Sequence, residues 1–267
     1  METILTIQNL NKRYGRIQAL KDVSFEIKKG HVYGILGPNG SGKSTTLGIV
    51  LNVVNKTSGN YNWFDGKMET HEALKKVGAI IERPNFYPYM TAEENLKLVC
   101  KIKNINYSKI QEKLELVGLN ERKDSKFSTF SLGMKQRLAI ASALLNDPEI
   151  LILDEPTNHL DLDMIAWLER FLVQSQLTLL MVTHDRYFLD QNSNEIWAFT
   201  EDNSGDIVKF ADYNQWYDWY EELKIKKPNS KNLGANNSKI IKNITINSPI
   251  PSPNISLSFY SALNRRP

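Results

Sequence analysis

Cysteine is almost absent. Cys100 is the only one among 267 residues, so no internal disulfide can form and a reducing compartment is expected. No apolar run reaches the roughly 18 to 20 residues that a bilayer-spanning helix requires. Residues 1–15 lack the apolar core of a secretion signal. These absences predict a cytosolic chain, with any work at a membrane shared with a separate spanning partner. Acidic residues are missing after Glu222, where Lys224, Lys226, Lys227, Lys231, Lys239, Lys242, Arg265 and Arg266 stand unopposed. Residues 1–222 therefore hold 25 basic against 30 acidic side chains, a net charge of −5, although the whole chain is +3. The basic balance belongs to the end of the chain and argues against nucleic-acid binding by the rest.

What is present is ordinary globular material. With 41% hydrophobic and 24% charged residues, a wholly disordered chain is excluded, and the length suits one large or two small domains. Alternating apolar positions at residues 4–10, and at Val23, Phe25 and Ile27, predict half-buried strands. Residues 32–36 predict a strand that ends in a glycine-rich turn, with a helix over residues 44–54 beyond it. Residues 60–66 predict a strand closing on an Asp-Gly turn. Residues 84–145 have a helical pattern; Thr91 with Glu94, and Ser108 with Gln111, are spaced as capping boxes, and Gly118 is placed to stop a helix. The fully apolar runs at 150–153 and 178–182 suit parallel strands buried on both faces. Strands alternating with helices predict an α/β layered core into which a helical subdomain, about 84–145, is inserted. Eight Asn, seven Ser and five Pro in the last 40 residues predict a disordered tail over 223–267. No internal repeat is present. Trp216, Trp219, Tyr220 and Leu223 fall on one helical stripe, read as packing on the core.

Gly37, Pro38, Asn39, Gly40, Ser41, Gly42, Lys43, Ser44 and Thr45 match GxxxxGK[ST] between a predicted strand and a predicted helix, the context that gives the motif its meaning. Backbone N–H groups there can wrap a β-phosphate, Lys43 can bring a charge to the β/γ oxygens, and the Ser44 hydroxyl can hold Mg²⁺. The strand at 150–153 delivers Asp154 and Glu155 at its C-terminal end, where open α/β sheets bind ligands. Asp154 would hold the metal through water, and Glu155 would act as general base on the attacking water. Ser131, Gly133 and Gln136 lie just before or at the start of a predicted helix; by spacing alone they read as an N-cap serine and a loop glycine.

In that order these motifs resemble the nucleotide-binding subunits of ATP-binding-cassette (ABC) proteins, over roughly residues 3 to 222. Residues 37–45 match Walker A, 131–136 the signature, 150–155 Walker B, His184 the switch histidine, and His159, Leu160 and Asp161 the D-loop. Tyr14 matches the aromatic that stacks on adenine. The resemblance implies a P-loop NTPase core with an N-terminal antiparallel β subdomain and the inserted helical subdomain. The ATP-binding domain would then occupy 1–222. It also implies a head-to-tail dimer with a second cassette, in which Walker A of one subunit and the signature of the other sandwich ATP, with His184 on the γ-phosphate.

Two positions depart from the family pattern. Glu82 stands where the family's glutamine joins the metal chemistry to the transmembrane partner, and the signature reads Ser-Leu-Gly-Met-Lys-Gln. Both, with residues 86–95, resemble the exporter branch that handles bacitracin and lantibiotic peptides. Residues 159–222, including Val182-Thr-His-Asp-Arg-Tyr-Phe-Leu-Asp190, resemble the ABC-F proteins, soluble twin-cassette ATPases of the ribosome. The expected function is an ATP-hydrolysing transport subunit, peripheral on the cytoplasmic face of the membrane and driving export through a permease docked near residues 82–90. An ABC-F-like ribosomal role is the alternative, opposed by the single Walker A and the negative charge of 1–222.

Overall fold

The computed structural model describes residues 2–81, 86–158, 160, 162–175, 177–200 and 207–226. The first half of the chain forms β1 (Thr3–Tyr14), β2 (Ile17–Lys28), β3 (Val32–Leu36), α1 (Lys43–Val50), β4 (Ser58–Trp63), α2 (Thr70–Ala73) and β5 (Val77–Ile80). Three helices follow: α3 (Ala92–Lys103), α4 (Ser108–Leu116) and α5 (Leu132–Leu144). The rest is β6 (Ile150–Asp154), α6 (Leu162–Ser175), β7 (Thr178–Val182), α7 (Arg186–Asn192), β8 (Glu195–Phe199), β9 (Ile207–Phe210) and α8 (Tyr213–Lys226). By its internal contacts the chain divides into Met1–Leu223 and Lys224–Pro267.

Two sheets result. One is antiparallel with strand order β2-β1-β4; the other has six strands in the order β5-β6-β7-β3-β8-β9, all parallel except β9. Every residue of β6 and of β7 is buried, as their apolar runs predict. Successive side chains point to opposite faces, which splits each strand between two cores. Leu151, Leu153, Leu179, Met181 and Ile196 join the helices, against Leu96, Leu114, Leu138 and Phe188. Ile150, Ile152, Leu180, Val182 and Trp197 face the antiparallel sheet and α1, against Ile7, Phe25, Leu47 and Trp63. Burying each large side chain contributes about 1.5–3 kcal/mol, so the strands carrying the functional carboxylates sit in the most heavily buried part of the chain.

Local chemistry sets the ends of the helices. Thr91 caps α3: its hydroxyl accepts from the Glu94 N–H at 3.1 Å while the Glu94 carboxylate accepts from the Thr91 N–H at 2.8 Å. Ser108 does not cap α4, contrary to expectation. It is the first helical residue, and Asn106 Oδ1 accepts from its N–H at 2.9 Å, while Gln111 reaches forward to Glu115 at 2.9 Å. An Asx turn two residues earlier takes the donor the box would have used. Gly118 does stop α4, with φ 67° and the paired bonds Gly118 N–H to Glu115 O and Leu119 N–H to Leu114 O. Helix α1 ends at Val50, short of the expected 54. Asn52 takes the left-handed conformation at φ 59° and closes the same bond pair onto Ile49 and Gly48. After β4 the turn is not a two-residue Asp-Gly closure: Phe64, Asp65 and Gly66 all have positive φ. In α8, Trp219 packs on Phe210 with ring centroids 5.3 Å apart and Trp216 stacks on Tyr220 at 5.1 Å. The expected tail lies outside the described residues beyond Lys226.

Candidate active site

The phosphate loop joins β3 to α1. Its tightest point is Gly42, at φ 97°, where an added Cβ would stand 2.7 Å from the Ala19 carbonyl oxygen and collide with Leu20. Only glycine fits there. No side chain caps α1, so the N–H groups of its first turn face outward as an anion site. Lys43, 8% exposed, donates through Nζ to the carbonyls of Gly37 at 2.7 Å and Pro38 at 3.0 Å. Burial lowers the pKa of its ammonium, opposed by the charges of Glu155 and Asp154. The Ser41 hydroxyl is buried with no protein partner.

Strand β6 lies beside β7, with Asp154 paired to Val182. That register brings the next residue of β6 beside the segment leaving β7. Glu155 turns off the strand at φ 51°, its N–H donating to the Val182 carbonyl at 2.7 Å. A non-glycine residue held there stores about 1–3 kcal/mol of strain. Glu155 Oε2 accepts from the His184 backbone N–H at 3.3 Å, and Oε1 lies 3.3 Å from His184 Nε2. Its pKa is raised, chiefly by burial and further by Asp154, against the lowering influence of His184 and Lys43. A half-buried carboxylate with a raised pKa, fixed through both oxygens, has the attributes of a general base.

These groups share one cavity of about 810 Å³, lined by Asn39, Gly40, Gly42, Lys43, Ser44, Thr45, Asp154, Glu155, His184 and Gln136. A buried lysine and an uncapped helix start on the cavity wall fit a polyphosphate. The Ser44 hydroxyl and Asp154 carboxylate are hard oxygen donors of the kind Mg²⁺ takes. Other anticipated residues lie elsewhere. Tyr14 stands 47% exposed at the end of the hairpin, with Lys12 Nζ 4.6 Å from its ring centroid; Ile17 and Ala19 line the cavity instead. Ser131 is occupied capping α5, its hydroxyl accepting from the Met134 N–H at 3.3 Å, and Gly133 packs on Met164. Leu132 and Lys135 from the same turn do reach the cavity; a cation inside the signature segment was the signal that could have pointed to Lys135. Glu82, His159 and Asp161 lie outside the described residues. No helix among the described residues is long and apolar enough to cross a membrane.

The ABC transporter family model matches residues 20–158. The bacitracin transport ATP-binding protein BcrA of Enterococcus faecalis is 34% identical over 232 residues, covering 84% of this chain and 75% of that one. The lantibiotic transport ATP-binding protein SrtF of Streptococcus pyogenes is 46% identical over 158 residues, covering 59% of this chain and 69% of its own. Among solved structures, a nucleotide-free ATP-binding cassette from an ABC transporter superposes with TM-score 0.73 at 23% identity, covering 85% and 98% of the two chains. A bacterial ABC transporter cassette solved as a dimer gives TM-score 0.66 at 28% identity, covering 78% and 98%. With a phosphate loop, a paired Asp154 and Glu155, and His184 gathered in one cavity, and with these matches, the chain belongs to the ABC transporter family as one of its ATP-binding, ATP-hydrolysing cassettes.

Proposed function

We propose that this cassette drives export of a peptide antibiotic or a similar compound through a separate permease, paired head to tail with a second cassette on the cytoplasmic face of the membrane. The observation that carries its catalytic part is the grip of His184 on both oxygens of Glu155, beside Lys43, in a single cavity. The relatives named for bacitracin and lantibiotic transport support the substrate class. None of the relatives reported above favours a ribosomal role.

Lys43 would place its charge on the β/γ-phosphate oxygens, and the N–H groups opening α1 would hold the β-phosphate. Mg²⁺, held by Ser44 and Asp154, would supply neutralisation of phosphate charge. Glu155 would take the proton of the attacking water; its raised pKa makes it a stronger base than an exposed carboxylate. His184 holds that carboxylate in place and would contact the γ-phosphate. We assign adenine stacking to Tyr14, closure on the partner's nucleotide to Ser131, Gly133 and Gln136, and the dimer seam to Asp161. Glu82 would link the site to the permease. Permease docking we assign to the turn at 87–90. There Asn95, 1% exposed, bonds both backbone groups of Tyr87 and the carbonyl of Thr91, leaving Tyr87 and Tyr89 exposed with ring centroids 5.7 Å apart.

Glu155→Gln should retain ATP while phosphate release falls by at least about 100-fold. Unchanged release would overturn the assignment. Coexpression with candidate permeases, read as bacitracin or lantibiotic tolerance that is lost in Glu155→Gln, tests the substrate class.

A further inference from the structure

The start of α6 presses on the signature turn. Met164, 5% exposed, lies so close to Gly133 that an added Cβ there would stand 2.9 Å from Met164 Cγ and 3.4 Å from its sulfur. One helical turn further along α5, Arg137 Nε donates to Met164 Sδ at 2.9 Å, and the guanidinium lies 5.4 Å from the Trp167 ring centroid. Trp167 in turn stacks on Phe171, with centroids 5.7 Å apart and planes 12° apart. Residues 133 and 137 share one face of α5 by i, i+4 spacing, and 164, 167 and 171 share one face of α6. Among the described residues no carboxylate pairs with Arg137. Its orientation is set by a soft sulfur acceptor and an aromatic face, contacts that use the planar shape of the guanidinium as well as its charge.

Each end of this contact borders the reaction. Helix α6 begins seven residues after Glu155, and α5 begins at the Ser131 cap. We propose that Arg137 is a positioning residue which, with Met164 and Trp167, keeps the signature turn in register with the segment that follows the general base. A change around one bound ATP is thereby transmitted to the surface that closes on the other. This rests on the paired-cassette reading above. The arrangement also explains locally why residue 133 is glycine: any side chain would push Met164 off the turn.

The test is ATP-dependent phosphate release by the purified full chain carrying Arg137→Gln, Trp167→Leu, or both. Each single change should lower kcat by about tenfold or more through misplacement. The dissociation constant for ATP should stay within about twofold of the unchanged protein, because neither residue lines the cavity. The double variant should be no worse than the poorer single one, as expected of one unit. Trp167→Phe, which keeps an aromatic face, should recover most of the rate, and Arg137→Lys, which keeps only the charge, should not. Should Arg137→Gln fail to fold, the Trp167→Phe and Arg137→Lys pair decides the matter alone. Full kcat in the single variants, losses that add in the double, or losses that track the thermal midpoint would each overturn the proposal. Glu155→Gln run alongside keeps the two readings apart: turnover that survives there defeats the general-base assignment. Turnover lost there but intact in Arg137→Gln defeats only this proposal.

Discussion

The phosphate loop and the signature turn each open a helix, and they are built in opposite ways. Helix α1 starts at Gly42 with no side-chain cap, while α5 starts at Ser131, whose hydroxyl already accepts from the Met134 N–H at 3.3 Å. The first leaves its N-terminal donors for an anion to satisfy. The second satisfies one of them internally through a lone pair of its serine hydroxyl, which keeps its own O–H to donate. An uncapped helix start thus leaves every first-turn N–H open to an anion, whereas the capped one has one donor fewer to offer.

Giving α1 a cap of its own would remove the difference and should have the largest effect. In Gly42→Ser the side chain meets Leu20 and the Ala19 carbonyl, and ATP affinity, read by calorimetric titration, should fall by at least about 100-fold, or about 2.7 kcal/mol. Next in size is His184→Ala, which should cut kcat by about 10-fold to 100-fold. The proposed base works ionised, so activity should fall as pH drops through the raised pKa of Glu155. His184 pulls that pKa down, so its removal should move the acid limb of the kcat/KM profile to higher pH; a limb that stays in place would contradict the electrostatic coupling. Ser131→Ala takes the cap from the other helix. It should cost about 1 kcal/mol of stability, seen as a lower thermal midpoint, with ATP binding to the phosphate loop unchanged. The smallest effect is expected from Asn106→Ala, a loss of about 0.5–1 kcal/mol from the start of α4 with no change in kcat.

The contrast also shows what was readable in advance. The phosphate loop is local: glycines, lysine and serine lie consecutively, so loop, strand and helix could be placed from the residues themselves. The same holds for Asp154 and Glu155, since a four-residue apolar run ending in two carboxylates, in a chain that carries a phosphate loop, reads as a buried strand. The meeting of Glu155 with His184 depends on β6 lying next to β7, a pairing across 29 positions of sequence, and only a family resemblance suggested it. Tyr14 likewise rests on resemblance alone: the turn at Gly15 sets it at the exposed end of the hairpin, while Ile17 and Ala19 line the cavity. The expected capping box of α4 does not form because Asn106 and Gln111 compete for one donor, the Ser108 N–H, and the asparagine's shorter loop wins. The contact of Met164 with Gly133 and Arg137 joins helices on either side of β6, and no periodicity within one helix could reveal it.

Cys100 closes on a practical property. It is fully buried in α3, and burial raises its thiol pKa, so as long as the helices stay packed the group is neither accessible nor ionised. It is also the sole cysteine of the chain. Alkylation of this protein by an added maleimide therefore reports the breathing of one region, at a rate set by how often α3 lifts from α4 and α5. The cassette carries its own single-site clock for the helical region, and the ATP dependence of that clock can be read without altering a residue.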